Sequence, residues 1–226
     1  MSSGRLYRKN GTVGQPDEGE RWGCLVQDRD SRLVVAWASG PLSENLIEQA
    51  VTTTVERTHR RELHWWSSGW HGYRSILVRA YRQRHLTGKR GRPAWVVPPT
   101  VALTQTVKHR DEHGHLLSVE IRAALGANAE PAGTVHVERL NGALRDRLNA
   151  LTRKTHAFAK RDDAWDALVD LQLFDHNFHR APGALRLPVA DGVRQYHHRS
   201  PAMALELTDH RWSFLELLTT RVPVTS

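Results

Sequence analysis

The chain has 226 residues, enough for one core with additions, since single domains commonly run roughly 100–200 residues. Its 32 Lys and Arg against 24 Asp and Glu leave a formal charge of +8, and 14 His add positive charge in acid, a balance that suits a polyanionic partner. One cysteine, Cys24, excludes a disulfide framework and a thiolate zinc site. No stretch has the ~20 apolar residues of a membrane span or the apolar core of a signal peptide, so the expectation is a cytoplasmic chain with no membrane partner.

Residues 1–21 mix Gly4, Gly11, Gly14, Pro16 and Gly19 with charges and predict an irregular lead-in. Trp22–Gln27 and Leu33–Ala38 read as a hairpin around the polar turn Asp28-Arg29-Asp30-Ser31. Ser43 caps a helix with Leu46, Ile47, Ala50, Val51 and Val55 on one face, ending near Arg60-Arg61. Leu63–Trp66 reads as a short strand, broken by Ser67-Ser68-Gly69 ahead of a helix carrying Tyr73, Ile76, Leu77, Ala80 and Tyr81. After the basic turn Gly88–Arg92, the runs Ala94–Val97, Ala102–His109 and Leu116–Leu125 predict a β-hairpin insertion around Asp111–Gly114.

Beyond a small-residue linker, Thr134–Arg153 is the strongest helix, with Val137, Leu140, Leu144, Leu148 and Leu151 in one apolar stripe. Its polar face begins with the carboxylate Glu138 and continues through Asn141, Arg145 and Arg153. Arg139, Lys154, Lys160 and Arg161 make the region densely basic, a pattern that suits phosphate contacts. Asp162–His179 reads as a helix with Trp165, Leu168, Leu171, Phe174 and Phe178 inward, and Leu205–Leu218 as a helix-prone tail. His109, His113 and His115 sit around a turn with no ligand pattern for zinc, and the turn Gly88–Arg92 lacks the lead of a nucleotide-binding loop. Among the eight tryptophans, Trp37, Trp65, Trp66 and Trp165 lie in apolar surroundings and are expected in the core, while Trp70 is the best candidate for another role.

The segment Val137-Glu138-Arg139-Leu140-Asn141-Gly142, followed by Leu144–Leu148 and Leu151–Thr155, resembles a helix of the bacterial insertion-sequence transposases of the DDE (retroviral-integrase-like) superfamily. Asp175-His176-Asn177-Phe178-His179-Arg180 is similar to a second family segment, although Ala181-Pro182 departs from its usual Pro-His. Trp22–Gly40 and Trp66–Tyr73 extend the likeness over most of the chain.

The resemblance implies an α/β, ribonuclease-H-like mixed sheet flanked by helices, with a β-hairpin insertion and a helical C-terminal extension. The boundaries it implies are a lead-in over 1–21, a core over 22–180 with the insertion at about 94–125, and an extension over 181–226. It further implies Mg²⁺-dependent cleavage and transfer of DNA strands, with transposon ends and target DNA as partners, in a homo-oligomer or a mixed oligomer with an intact transposase. Glu138 is the family's final catalytic acid and a metal ligand. Ser68 stands where the family has an Asp after the fourth strand, and a hydroxyl supplies none of the charge that two Mg²⁺ ions require. The first acid belongs on an opening strand, yet no Asp or Glu precedes Asp17; Asp28, the remaining candidate for a catalytic acid, falls in a hairpin turn. The expectation is therefore an N-terminally truncated or degenerate copy, impaired in catalysis, that recruits residues 5–15 as a substitute strand or is marginally stable. The alternative is a non-catalytic DNA-binding regulator of transposition.

Overall fold

The computed structural model describes residues 2–4, 21–85, 93–126, 134–151, 161–189 and 195–220. They fall into two compact units, Met1–Gln27 with Val35–Phe158, and Asp28–Val34 with Ala159–Ser226. The second unit thus opens near residue 159 and takes in the hairpin turn, where the sequence suggested a boundary at 180.

In the first unit, β1 (Ser2–Gly4), β2 (Trp22–Gln27) and β3 (Val34–Gly40) form a sheet in that order. β1 runs antiparallel to β2, with Ser3 opposite Cys24. The lead-in therefore contributes a strand. Backbone groups of a buried strand require partners, and those of β2 find them in Ser2–Gly4; residues 5–15, expected in this role, lie outside the described residues.

Helix α1 (Glu44–Arg57) starts at Ser43, whose Oγ accepts the Leu46 N–H, with Glu44 in the positively polarised first turn. Leu46, Ile47, Ala50, Val51, Thr54 and Val55 form the buried face, and the Thr54 hydroxyl donates to the Ala50 carbonyl at 2.8 Å. The helix stops three residues before the expected end because His59 and Arg60 adopt left-handed backbone (φ 50° and 56°), with Arg60 N–H closing back on Val55 O. Strand β4 (His64–Ser68) follows, then α2 (Gly72–Tyr81), tied to α1 by Arg79 bridging Glu44 and Glu48. Trp22, Cys24, Val26, Ala36, Trp65, Tyr73, Ile76, Leu77 and Leu103 join the α1 face in one core. Each large apolar side chain there contributes about 1.5–3 kcal/mol by leaving water.

β5 (Gln83–His85) and β6 (Ala94–Val96) pair only with each other among the described residues. β7 (Ala102–Arg110) runs parallel to β4, Trp66 opposite Thr104 and Ser68 opposite Thr106, and β8 (Leu116–Leu125) lies antiparallel on β7. The hairpin expected around Asp111–Gly114 is present as β7 and β8, and β7 is in addition central to a mixed sheet of order β4-β7-β8, with β4-α2-β7 a β-α-β crossover. The buried run Val101–Gln105 reflects that central position.

Helix α3 (Val135–Arg147) lies alongside β1 and β2 and buries Val137, Leu140, Asn141 and Leu144. It is shorter than the expected Thr134–Arg153, because Leu148 is extended (φ −111°, ψ 102°) and Asn149–Leu151 forms a 3₁₀ turn. That turn keeps Ala150 and Leu151 buried, so the apolar stripe persists although the helix does not.

In the second unit, α4 (Asp162–Phe174) runs into a π-helical turn over Asp175–His179. Its buried positions are Trp165, Val169 and Leu173, a strict four-residue step, whereas Leu168 and Leu171, expected inward, are exposed. Phe174 and Phe178 turn instead to Trp212 and Phe214 in an aromatic cluster. A short pair, β9 (Leu187–Pro188) and β10 (Tyr196–His197), precedes α5 (Pro201–Ala204) and α6 (Phe214–Thr219), capped by Ser200 and Ser213. The tail is thus two short helices, separated where Glu206 takes left-handed backbone (φ 58°). Among the described residues, no helix is long and apolar enough to cross a membrane.

Candidate functional site

The alternation of β4 and β7 places Trp65 and Leu103 in the core and puts His64, Trp66, Ser68, Thr104, Thr106 and Lys108 on the opposite face of the sheet. His64 stacks on Trp66 at 4.0 Å and its Nε2 lies 2.8 Å from Thr104 Oγ1, which fixes that face near Ser68. Two residues beyond the Ser68–Thr106 pair, Lys108 reaches toward α3.

Glu138 sits in the first turn of α3, where the helix dipole favours a carboxylate. Its Oε1 accepts the Thr134 hydroxyl at 2.7 Å and the Lys108 ammonium at 3.2 Å; Oε2 lies 3.5 Å from the same ammonium. Both charged side chains are a little under half exposed (42% for Lys108 and 45% for Glu138). The candidate catalytic acid is therefore balanced by a lysine with no distinguishing signal in the sequence, because nothing local to Ala102–Arg110 shows which strand it pairs with.

The loop after β4 is held from below. Gln105, 2% exposed, donates through Nε2 to Trp70 O at 2.8 Å and Ser68 O at 3.0 Å, while its Oε1 accepts Arg122 Nη2 at 2.9 Å. The loop presses close to its neighbours: a Cβ on Gly69 would lie 2.9 Å from Val107 Cγ2, and one on Gly72 would fall 2.0 Å from the Trp70 ring. Trp70 packs over Gly72 and edge-on to Tyr73, so it is a structural part of this loop. A polar residue at an inward strand position was the available signal for Gln105.

Of the basic residues proposed for DNA, Arg139 is exposed on α3 and Arg145 is half-buried. Asn141 is buried at 7%. Arg161 pairs with Asp163 at the start of α4 in the second unit. Arg153, Lys154, Lys160 and the turn Gly88–Arg92 lie outside the described residues. Asp28 caps its turn, Oδ2 accepting from Ser31 N at 2.8 Å and Ser31 Oγ at 2.6 Å. No family model, curated protein or solved structure matches the chain.

The segment Asp175–Arg180 has a local structural task within its own unit. Asn177 accepts Val34 N–H at 2.9 Å and donates to Val34 O at 3.0 Å, copying a strand partner, and His176 Nε2 meets Arg32 O at 2.9 Å. Asp175, buried at 4%, pairs with Arg180.

Magnesium clamped for phosphoryl transfer needs several carboxylate oxygens. The face beside Ser68 offers a hydroxyl and one carboxylate already paired with an ammonium, and the β1 residues Ser2-Ser3-Gly4 include no acid. Among the described residues, no three His, Cys, Asp or Glu side chains gather as an ion-binding group. The described residues beside Ser68 do not fit a two-metal centre.

Proposed function

We propose that this chain is a DNA-binding relative of the DDE transposases, built on a ribonuclease-H-like sheet, that engages DNA without cutting it. Support for the fold reading comes from the β1-β2-β3 order with β1 antiparallel to β2, the parallel β4-β7 pair joined through α2, and α3 lying alongside β1 and β2 with Glu138 in its first turn. One observation carries the functional reading: Lys108 occupies the charge-compensating position beside Glu138 that a cleaving relative gives to Mg²⁺. With Ser68 neutral and Glu138 balanced by Lys108, the face has no net negative charge to repel phosphate, the exposed Arg139 of α3 adds a positive one, and among the described residues no group of acids gathers to hold a metal ion. A protein of this kind regulates transposition by occupying element ends or by joining an intact transposase.

The test is fluorescence anisotropy of duplex DNA across a salt series, alongside nicking assays with Mg²⁺ and Mn²⁺. Binding that weakens steeply with salt is expected, log K falling by about 0.9 per phosphate contact for each tenfold rise in salt. Arg139→Ala should reduce that slope by about one contact. Nicking by the unmodified protein that disappears in Glu138→Gln would refute the non-cutting assignment, and no binding at low salt would refute the DNA assignment.

A further inference from the structure

We propose that the chain dimerises by antiparallel pairing of β8 with β8 of a second copy, centred on Ile121. Among the described residues, β8 is the terminal strand of the β4-β7-β8 sheet, with one edge on β7 and the other unpaired. Leu116 through Ala123 is exposed without a break, including Leu117 at 68%, Val119 at 51% and Ile121 at 44%. A long apolar strand with an open edge is a template for another strand unless charge, proline or a covering element blocks it. β8 has no proline, and its charges invite a copy of itself.

Symmetry restricts the registers. Two copies related by a twofold axis perpendicular to the sheet place residue i opposite j with i and j on the same face, so a residue of β8 sits opposite itself at the centre. Centring on Glu120 sets two carboxylates opposite each other, and centring on Arg122 does the same with two guanidinium groups; like charges directly opposite are destabilising. Centring on Val119 leaves both charges without a complement, Glu120 facing Ser118 and Arg122 facing Leu116.

Centring on Ile121 pairs Glu120 with Arg122 twice, Ile121 with itself and Val119 with Ala123. The two irregularities of the β7–β8 ladder fall near Leu117 and Ala124, so the stretch that pairs regularly, Ser118–Ala123, is the one this register uses. Among the described residues Glu120 meets His109 alone, at 3.1 Å, and Arg122 gives one Nη2 contact to Gln105, leaving donors of its five-donor fork for a partner carboxylate. The product is a six-stranded sheet in which the exposed Val119 and Ile121 side chains of the two copies adjoin. The inference is independent of any action on DNA.

Sedimentation velocity of the full chain over a concentration series, without DNA, reads the result directly. The unmodified protein is expected to pass from monomer to dimer. Glu120→Arg and Arg122→Glu should each weaken dimerisation at least about tenfold, since each turns two attractive pairs into repulsive ones, and the double exchange should restore it. Circular dichroism and melting identify any variant that misfolds. A second measurement avoids charge changes: Ile121→Cys places two thiols across the axis, where a short bismaleimide should link the chains, and Leu116→Cys should link poorly. A monomer at every concentration overturns the proposal. So does a dimer indifferent to both charge reversals, a folded double exchange that stays monomeric, or linking no better at 121 than at 116.

Discussion

Replacing Gln105 with Leu tests the claim that one buried amide shapes the loop carrying Ser68. Leucine has nearly the same volume, so the change removes polar partners and leaves little cavity. It strips the Ser68 and Trp70 carbonyls of their amide donor and the Arg122 guanidinium of its acceptor. A buried polar group left unpaired costs about 1–3 kcal/mol, but Ser68 and Trp70 are half-exposed, so water can reach them and the low end applies. Two carbonyls at about 1 kcal/mol each, plus about 1.5 kcal/mol for the lost bond to a charged but exposed donor, give a destabilisation of about 3.5 kcal/mol.

Urea unfolding followed by tryptophan fluorescence measures this, because Trp65, Trp66 and Trp70 lie on or beside the loop, and the midpoint should fall at unchanged slope. Gln105→Glu provides the contrast. It keeps the Arg122 acceptor but turns a carboxylate oxygen toward two carbonyls, so it should be no more stable than the Leu variant at neutral pH. It should recover in acid, where the protonated group can donate. A Leu variant within about 0.5 kcal/mol of the parent would show that the loop is held by packing at Gly69 and Gly72 alone.

Asn177→Leu should destabilise the second unit by about 2–4 kcal/mol, because Val34 loses both partners of its peptide groups; proteolysis of the 28–34 turn is the readout, and unchanged resistance would contradict the role given to Asn177. Burial pushes the Cys24 thiol up to about 12, so it should ignore a thiol reagent at pH 8 in the folded protein and react fully in denaturant. His210 is held protonated by Asp209 and then Glu216, which raises its pKa above 6.5, so any stabilisation from it is present in acid and lost as pH rises through the raised value. Glu216 shifts oppositely, pulled from 4.5 to about 2 first by the Ser213 N–H and then by His210, so its contribution is present at neutral pH and lost as pH falls toward 2. NMR titration of the His210 ring should place its midpoint above the ordinary histidine value, and a midpoint at or below that value would remove the interaction.

Local signals were legible where the deciding physics is local. Ser43 announced α1 because an N-cap acts within three residues, and the apolar stripe of α3 named Val137, Leu140 and Leu144 as buried. Partnership between distant strands was not legible. Ala102–Arg110 looks the same in sequence whether it edges an insertion or runs beside β4, and only the second arrangement brings Lys108 to Glu138 and Gln105 beneath Ser68. The early end of α3 was equally hidden, since a 3₁₀ turn buries Leu151 as well as another helical turn would. On α4 two apolar stripes compete, and the aromatic cluster around Trp212 decides between them through residues more than thirty positions away.

Ser68 and the Lys108–Glu138 pair are linked by charge. Carboxylates gathered to hold divalent ions repel one another until the ions bind, and a lysine beside one of them opposes ion entry. The face beside Ser68 holds one carboxylate, Glu138, and a single ammonium, Lys108, balances it while joining β7 to α3. Ser68→Asp alone would add a second acid beside a carboxylate already paired with a cation, with none contributed by Ser2–Gly4. Removing Lys108 at the same time lifts the repulsion yet leaves the site short of an acid. Ser68→Asp alone should therefore give no Mg²⁺-dependent nicking of duplex DNA, and nicking by that variant would refute the reasoning.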